Sequence, residues 1–431
     1  MASEHTKVHI TLVGGQQYPI YVGIKEANPD KLVMVCSEQS RNDAVRISRV
    51  AGMNRSNVEL VLCDADDVSS ANEVIRDSIV RDIVDKYSDC EYTVSLTGGP
   101  KPWSMFLLKL LYGRENVSLM YYGQNGDQCD LINATQKHSS IPLDMDILFR
   151  LKNAETRHYR KFSELTQDDL DVVSVIDEFL SINPDLIGCF SVMTNPVQPQ
   201  NRSQIQPGFC YPPDEYGDSK QPVKFTRMHH KYDGSNLNFY LEKGIEKADG
   251  AIYIKKKNDT FSVPFHFEAP HLMDLLFFAG WFEVMVARML SVWKSGQDIR
   301  VGVRFDFASS MRMKNEIDII MNTGNKLLFV ECKTRIMHLT DLDKFNNVVK
   351  TYGGTGSKAL FVSYYGIDKD VEEKCGVTDI AYFSIEDARA RWKARHKAAD
   401  DHDSGIEQMN SAVQQEFNDL LNRKLKASNK I

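Results

Sequence analysis

Residues 315–335 read NEIDIIMNTGNKLLFVECKTR, two apolar runs divided by Asn322-Thr323-Gly324-Asn325. Strand-forming residues on either side of a short Gly-containing turn predict a hairpin. The period of two along a strand puts Glu331 and Lys333 on one face and Cys332 on the other. Hairpin pairing then brings Asp318 beside Glu331, so two carboxylates converge with an ammonium next to them. Such a cluster is costly as packed core and suits a hard cation with oxygen ligands, Mg²⁺ or Mn²⁺. Of three acidic-x-Lys triplets, beginning at Asp218, Glu331 and Glu372, only the second ends an apolar strand that follows another strand carrying an Asp.

Upstream of the hairpin, His271–Trp293 reads as a long helix that carries Glu283 on an otherwise apolar segment, GWFEVMVARML. A strand at Arg300–Phe307, a helix near Asp341–Val349 and a strand at Ala359–Tyr364 complete an α/β unit. The hairpin offers Asp318, Glu331 and Lys333 as candidate catalytic residues and Asp318, Glu331 and Cys332 as candidate metal positions. Residues 301–350 hold eight Lys+Arg against six Asp+Glu, with Arg304, Arg312, Lys314 and Arg335 around the core. A basic rim above clustered carboxylates suits a phosphate backbone.

The first 150 residues alternate between β-rich runs (Val8–Val13, Lys31–Cys36, Val58–Cys63, Tyr92–Leu96, Val117–Tyr122) and helical spacing. That rhythm predicts a mostly parallel sheet with helices on both faces, where ligands sit beyond the carboxyl ends of the strands. Three loops fall on that edge: Gly14-Gly15-Gln16-Gln17, Ser37-Glu38-Gln39-Ser40 and Thr97-Gly98-Gly99-Pro100-Lys101. Glycines admit close backbone approach, hydroxyls and amides donate, and Lys101 adds a positive charge ahead of a helix that contains Trp103. This is a candidate site for a phosphate-bearing ligand. The GxGxxG and GxxxxGK[ST] fingerprints are absent, which argues against a dinucleotide cofactor and ATP hydrolysis.

Between the two ends, residues 151–195 read as helical. Residues 195–223 read as a Pro/Gln/Asn-rich linker, and 224–267 as short strands. The last forty or so residues are polar, predicting a peripheral helix or disorder. With 59 Asp+Glu against 52 Lys+Arg, a net charge of −7 and 42% hydrophobic residues, the composition excludes fibrous, disordered and disulfide-scaffold classes. No CxxC pair occurs among the eight cysteines, and no apolar run is long enough to span a membrane. A reduced, cytoplasmic protein that makes no membrane contact is expected.

The VGGQ loop, the S-x-Q turn and the TGGPK loop resemble the CRISPR-associated Rossmann-fold (CARF) domain, and the D…ExK pattern resembles the PD-(D/E)xK nucleases. The latter resemblance implies a further acidic residue on the helix before the core, which adds Glu283 to both the candidate catalytic residues and the candidate metal positions. Their order along the chain resembles the ancillary nucleases of type III CRISPR defence. The resemblance implies a Rossmann-like CARF domain over 1–150 and a restriction-endonuclease-like α/β domain over 266–395. A mixed connector, 151–265, joins them, and 396–431 is a polar tail. It further implies a homodimer that binds a cyclic oligoadenylate, most often cyclic tetra-adenylate, and then cuts DNA, RNA or both. The ligand contacts implied are Gly14, Gly15, Gln16, Gln17, Ser37, Gln39, Ser40, Thr97, Gly98, Gly99, Lys101 and Trp103, with Trp103 either stacked on an adenine or packed inward. Pro100 and Pro102 depart from the family pattern, where many relatives carry a hydroxyl residue before the Lys. Two rival readings are a ligand-responsive nucleic-acid-binding regulator without catalysis and an enzyme that degrades the cyclic ligand.

Overall fold

The structure, a computed structural model, describes residues 5–123, 126–182, 223–229, 232–242, 245–256, 259–277, 280–307, 315–324, 326–334, 339–354, 356–396 and 402–426. The first unit runs β1 (Lys7–Leu12), α1 (Gln17–Ala27), β2 (Lys31–Cys36), α2 (Arg41–Val50) and β3 (Val58–Leu62). It continues with α3 (Val68–Val74, extended as a π-helix over Ile75–Asp85), β4 (Glu91–Ser95), α4 (Lys101–Leu111) and β5 (Val117–Tyr122). The antiparallel strands β6 (Asp127–Asp130) and β7 (Thr135–His138) complete it. The sheet order is β3-β2-β1-β4-β5-β6-β7, with β1 to β5 parallel. Strands β1 and β2 each bury five consecutive residues, as expected where helices cover both faces. Because β1 lies between β2 and β4, the connections leave it on opposite sides. The crevice this opens beyond β1 and β4 is where such sheets bind ligands.

A short helix, α5 (Met145–Leu151), then joins the two halves. The Asp144 carboxylate caps it, accepting from the Ile147 amide at 2.9 Å. One side of α5 meets the first unit, where Arg46 Nε donates to the Leu151 carbonyl at 2.7 Å. On the other side Leu148 and Phe149 pack with Phe305, Ile317 and Phe329. Arg300, only 4% exposed, forks onto Asp146 at 2.6 and 3.1 Å and lies 4.3 Å over the Tyr159 ring. Replacing Arg300 by Ala removes the bidentate pair with Asp146 and the ion pair with Asp298 at 3.2 Å. We expect a loss of about 3 kcal/mol, at the low end for a buried pair because Asp146 is partly solvated. Denaturant unfolding followed by Trp fluorescence checks this.

The second unit contains β8 (Ala154–Lys161), α6 (Gln167–Ile182), the strands β9 (Val223–His229), β10 (Tyr232–Glu242), β11 (Ile245–Lys256) and β12 (Asp259–Ala269), then α7 (Leu272–Phe277) and α8 (Gly280–Trp293). After them come β13 (Ile299–Phe307), β14 (Asn315–Asn322), β15 (Leu327–Lys333), α9 (Thr340–Gly353), β16 (Lys358–Ser363), α10 (Lys369–Thr378), β17 (Ile380–Ser384), α11 (Ile385–Arg395) and α12 (His402–Lys426). Its main sheet has the order β17-β16-β15-β14-β13-β8, and β9 to β12 form a separate antiparallel sheet. One expectation is corrected here. Residues 154–161, expected as helix within the connector, are the edge strand of the nuclease-like sheet. Of the two alternatives for the C-terminal segment, helix or disorder, the helix forms, and it buries Met409, Val413, Phe417 and Leu421, a four-residue spacing, against α8 and β17. Most of the 195–223 linker reading lies outside the described residues.

Candidate active site and ligand loops

The hairpin predicted for 315–335 forms. Strands β14 and β15 pair antiparallel from Asn322↔Leu327 to Ile319↔Val330, and this register points Asp318 toward Glu331. There the ladder stops. The Cys332 amide donates to the Asp318 side chain, Oδ2, at 2.7 Å, so the two strands splay with the carboxylate between them. A kink in β13 contributes. Gly302 has φ +63°, and the pairing of β13 with β8 shifts register around it. Along β13, Val301 packs in the core beneath α8, whereas Val303 packs in the core beneath α9. Along β14, Ile319 and Ile317 divide in the same way. Residues two apart normally share a face, so both strands rotate here, and Asp318 sits at the turnover.

Lys333 Nζ lies 2.6 Å from Glu331 Oε1 and 3.8 Å from Asp318 Oδ2. Burial alone would lower this ammonium, but Asp318 and Glu331 outweigh it and hold the proton more tightly than usual. Burial, with Glu331 adding repulsion, pushes the Asp318 carboxyl up to about 7. Glu283, in the first turn of α8, is pushed well above the ordinary carboxylate range by burial, then by Asp318 and Glu316. Two neighbouring carboxyl groups that resist ionisation lack positive charge, and a cation with oxygen ligands supplies it. Among the described residues, the side chains as they stand do not gather three ligands around one point. Glu331 is turned to Lys333, and Asp318 to the Cys332 amide. The donor chemistry of these carboxylates fits Mg²⁺ or Mn²⁺.

The thiol of Cys332, also a candidate metal position, is 7% exposed in the core beneath α8; burial, and then the Asp318, Glu283 and Glu331 carboxylates, push its ionisation up. Arg304 forms an ion pair with Glu316 at 3.1 Å. Arg312, Lys314 and Arg335 lie outside the described residues.

A cleft of about 680 Å³ opens beside these carboxylates, between α8 and the strands β8 and β13, with Glu283 and Glu316 among its lining. The sequence reading missed Glu316, although it lies two residues before Asp318 on the same strand. It also missed Arg157, His158 and Arg160 of β8, which line the opposite wall.

In the first unit, the loops after β1 and β4 touch. A Cβ on Gly14 would lie 2.5 Å from the Gly99 nitrogen, and one on Gly98 would lie 2.6 Å from the Leu12 carbonyl oxygen. Gly98 and Gly99 have φ of +85° and +63°, which favours glycine. Gly15, Gln16, Gln39 and Lys101 are exposed on this edge. Ser37 and Ser40 close a local turn, with the Ser37 amide donating to Ser40 Oγ at 3.0 Å. Three of the expected ligand contacts face inward instead. Trp103 is 1% exposed and packs beneath Gly99 in the core, so the stacking alternative is corrected. Thr97 Oγ1 is occupied by β5, donating to the Tyr122 carbonyl at 3.2 Å and accepting from its amide at 2.6 Å. Gln17 is 5% exposed as the first residue of α1.

Two family profiles match the chain: the Card1 CARF domain over residues 8–147 and the Card1-like endonuclease domain over 274–378. No curated protein matches it. Among solved structures, Can2 from Sulfobacillus thermosulfidooxidans, in complex with cyclic tetra-adenylate, aligns over 88% of this chain and 95% of its own, with TM-score 0.59 and 13% identity. Protein VC1899 from Vibrio cholerae aligns over 96% of this chain and 98% of its own, with TM-score 0.63 and 12% identity. At these identities the likeness is one of fold. Among the described residues, no helix is long and apolar enough to cross a membrane.

Proposed function

The chain belongs to the Card1-like CARF endonucleases, and we propose that it is a cyclic-oligoadenylate-activated, metal-dependent nuclease of type III CRISPR defence. The observation that carries this reading is the convergence of Asp318, Glu331 and Lys333 where β14 and β15 splay, with Glu283 beside them on α8. A pure nucleic-acid binder gains nothing from buried carboxylates opposite phosphate. Glu283, Asp318 and Glu331 would hold Mg²⁺ or Mn²⁺. The cation supplies activation of water and neutralisation of charge on the phosphodiester. Lys333, kept protonated by its two carboxylate neighbours, orients the attacking water and stabilises the extra charge on the phosphate oxygens.

On the sensing side, the crevice beyond β1 and β4 presents backbone N–H groups, Gln16 and Lys101 to the phosphates of the cyclic ligand. Ser40 and Gln39 approach from β2. The structural likeness to Can2 bound to cyclic tetra-adenylate favours a four-membered ring. Two copies of the chain, related by a two-fold axis through the ring, would each read half of it with the same loops. The reading is of a cytoplasmic protein, since a sequence with no disulfide framework is ordinary in a reducing compartment.

The test is a cleavage assay on supercoiled plasmid, single-stranded DNA and single-stranded RNA in Mg²⁺ or Mn²⁺. Each substrate is tried with and without cyclic tetra- and hexa-adenylate. Cutting that needs a cyclic ligand and disappears in Glu331→Ala is the expected result. Binding of the ligand with no cutting of any substrate would instead favour a regulator.

A further inference from the structure

The three carboxylates of the candidate site come from two separate bodies. Asp318 and Glu331 belong to the hairpin of β14 and β15, whereas Glu283 belongs to the first turn of α8. Glu283 stands among like-charged neighbours, Asp318, Glu316 and Glu331, whose repulsion when ionised opposes the approach of the helix to the strands. Tyr364, the residue after β16, touches both bodies. Its amide donates to the Lys333 carbonyl at 3.1 Å. Its ring meets those of Trp281 and Phe282 edge-on, at centroid distances of 5.8 and 5.9 Å, and these are the two residues before Glu283. The start of α8 is also fixed on another side, since a Cβ on Gly280 would lie 2.8 Å from the Asp274 carbonyl oxygen.

The Tyr364 hydroxyl is held in turn. It accepts from Arg389 on α11 at 2.8 Å, and Arg389 donates to Asp177 on α6 at 2.6 Å and to Asn410 on α12 at 3.3 Å. Tyr364 is 1% exposed and Arg389 7%. A neutral partner would satisfy the hydroxyl of a buried tyrosine. Burying a guanidinium and a carboxylate instead costs desolvation that offsets most of their attraction. Stability is therefore a poor account of this arrangement, and what it supplies is a fixed direction for the ring. Arg389, Asp177 and Asn410 all lie outside the matched residues 274–378, so segments beyond the endonuclease profile hold this part of its site.

We propose that Tyr364 is a positioning residue for Glu283, keeping α8 at the spacing from the end of β15 at which the three carboxylates share a cation, with Arg389 as its lock. This rests on the nuclease reading above. Groups that orient metal ligands without touching the metal are worth roughly ten- to a hundredfold in metal affinity or activity. Tyr364 does so through the two residues that precede Glu283 and through the backbone of Lys333, so one side chain sets helix and strand relative to each other.

The experiment measures Mn²⁺ binding to the intact protein by calorimetry, without nucleic acid. The melting temperature of the cation-free protein and cleavage kinetics with cyclic tetra-adenylate are measured alongside. Tyr364→Phe keeps the ring and the amide and removes only the hydroxyl. It should weaken Mn²⁺ binding about ten- to a hundredfold, raise the half-activating Mn²⁺ concentration by the same factor and leave KM for nucleic acid within about twofold. Arg389→Gln should act alike, and the double variant should lose no more than the weaker single one, because both act on one route. If Arg389→Gln does not fold with Asp177 unpaired, Arg389→Lys, which keeps a charge for Asp177, takes its place. Unchanged Mn²⁺ affinity in Tyr364→Phe, whatever its melting temperature, would overturn the proposal and reduce Tyr364 to core packing. Losses that add in the double variant would remove Arg389 as the lock. A wild-type protein that binds no Mn²⁺ would end both this proposal and the nuclease reading. A wild-type protein that cuts no substrate, with Mn²⁺ affinity still lowered in Tyr364→Phe, would remove the nuclease reading and leave the positioning in place.

Discussion

Asp318→Asn should abolish cleavage and at the same time raise the thermal stability of the cation-free protein. A variant that only damaged the fold would do the first and the reverse of the second. The Asp318 carboxyl is pushed up to about 7 by burial and by Glu331, well above the ordinary range for an aspartate. An acid whose folded pKa is raised contributes full stability below its unfolded value and loses it as pH rises through the folded one. Between about pH 4 and pH 7 the wild-type protein therefore loses stability that the Asn variant keeps, and above pH 7 the difference amounts to roughly 4 kcal/mol. Asn keeps an oxygen for the Cys332 amide, so the hydrogen bond survives. Melting curves at pH 5 and pH 8 should diverge more at pH 8, and Mn²⁺ should raise the wild-type protein but hardly the variant. Activity should fall by at least the 10²–10³-fold expected for removing one preorganised electrostatic partner, and Lys333→Met should fall by about 10²–10³-fold. Equal melting temperatures at both pH values would show that Asp318 carries no stored repulsion, and the cation-site argument would fail with it.

The catalytic hairpin was readable because its information is local. Asp318, Glu331 and Lys333 lie within sixteen residues of one another, and strand periodicity with a Gly turn sets their relative placement. The parallel sheet of the first unit was readable for a similar reason, since apolar runs such as Lys31–Cys36 alternate with helical spacing. Strand β8 was not. Glu155 to Lys161 has no apolar alternation, since an edge strand packs little on either face, and its partner β13 begins 138 residues after it ends. No local rule joins segments that far apart. The rotation of β13 and β14 left one visible sign, the lone Gly302 inside a strand pattern, which is a recognised mark of a bulge. For Trp103 the sequence allowed both stacking on the ligand and packing inward; the four-residue spacing of Trp103, Leu107 and Leu111 is the inward stripe of α4, and the second alternative holds. The resemblance to CARF domains carried Thr97 and Gln17 onto the ligand-contact set. Residue type alone does not tell whether a hydroxyl or amide at a strand end faces ligand or core, and here both face the core.

Gly14→Ala should weaken sensing without touching the nuclease site. The loops after β1 and β4 meet at the crevice, and the methyl group of alanine would lie 2.5 Å from the Gly99 nitrogen. The obstruction is backbone, so no side-chain rotation relieves it. Gly99 cannot retreat freely, because it is packed on Leu12 and Trp103 and held at φ +63°. The loops must therefore separate, which spreads the backbone donors that converge on the ligand. Such overpacking costs about 1–3 kcal/mol, and if that cost falls on the ligand-binding geometry the affinity for the cyclic ligand drops roughly ten- to a hundredfold. Calorimetry with cyclic tetra-adenylate measures the loss. In cleavage assays the half-activating ligand concentration should rise by the same factor, while the rate at saturating ligand stays near that of wild type. That split follows because a ligand shifts a two-state equilibrium only through its differential affinity for the two states. A lower saturating rate would mean that the loop also sets the active arrangement itself. Gly376→Ala, on α10 of the endonuclease unit, is the control: its Cβ would meet no atom within 4 Å, so it should bind and respond as wild type does. If Gly14→Ala kept its ligand affinity, the contact between the two loops would not be what shapes the crevice.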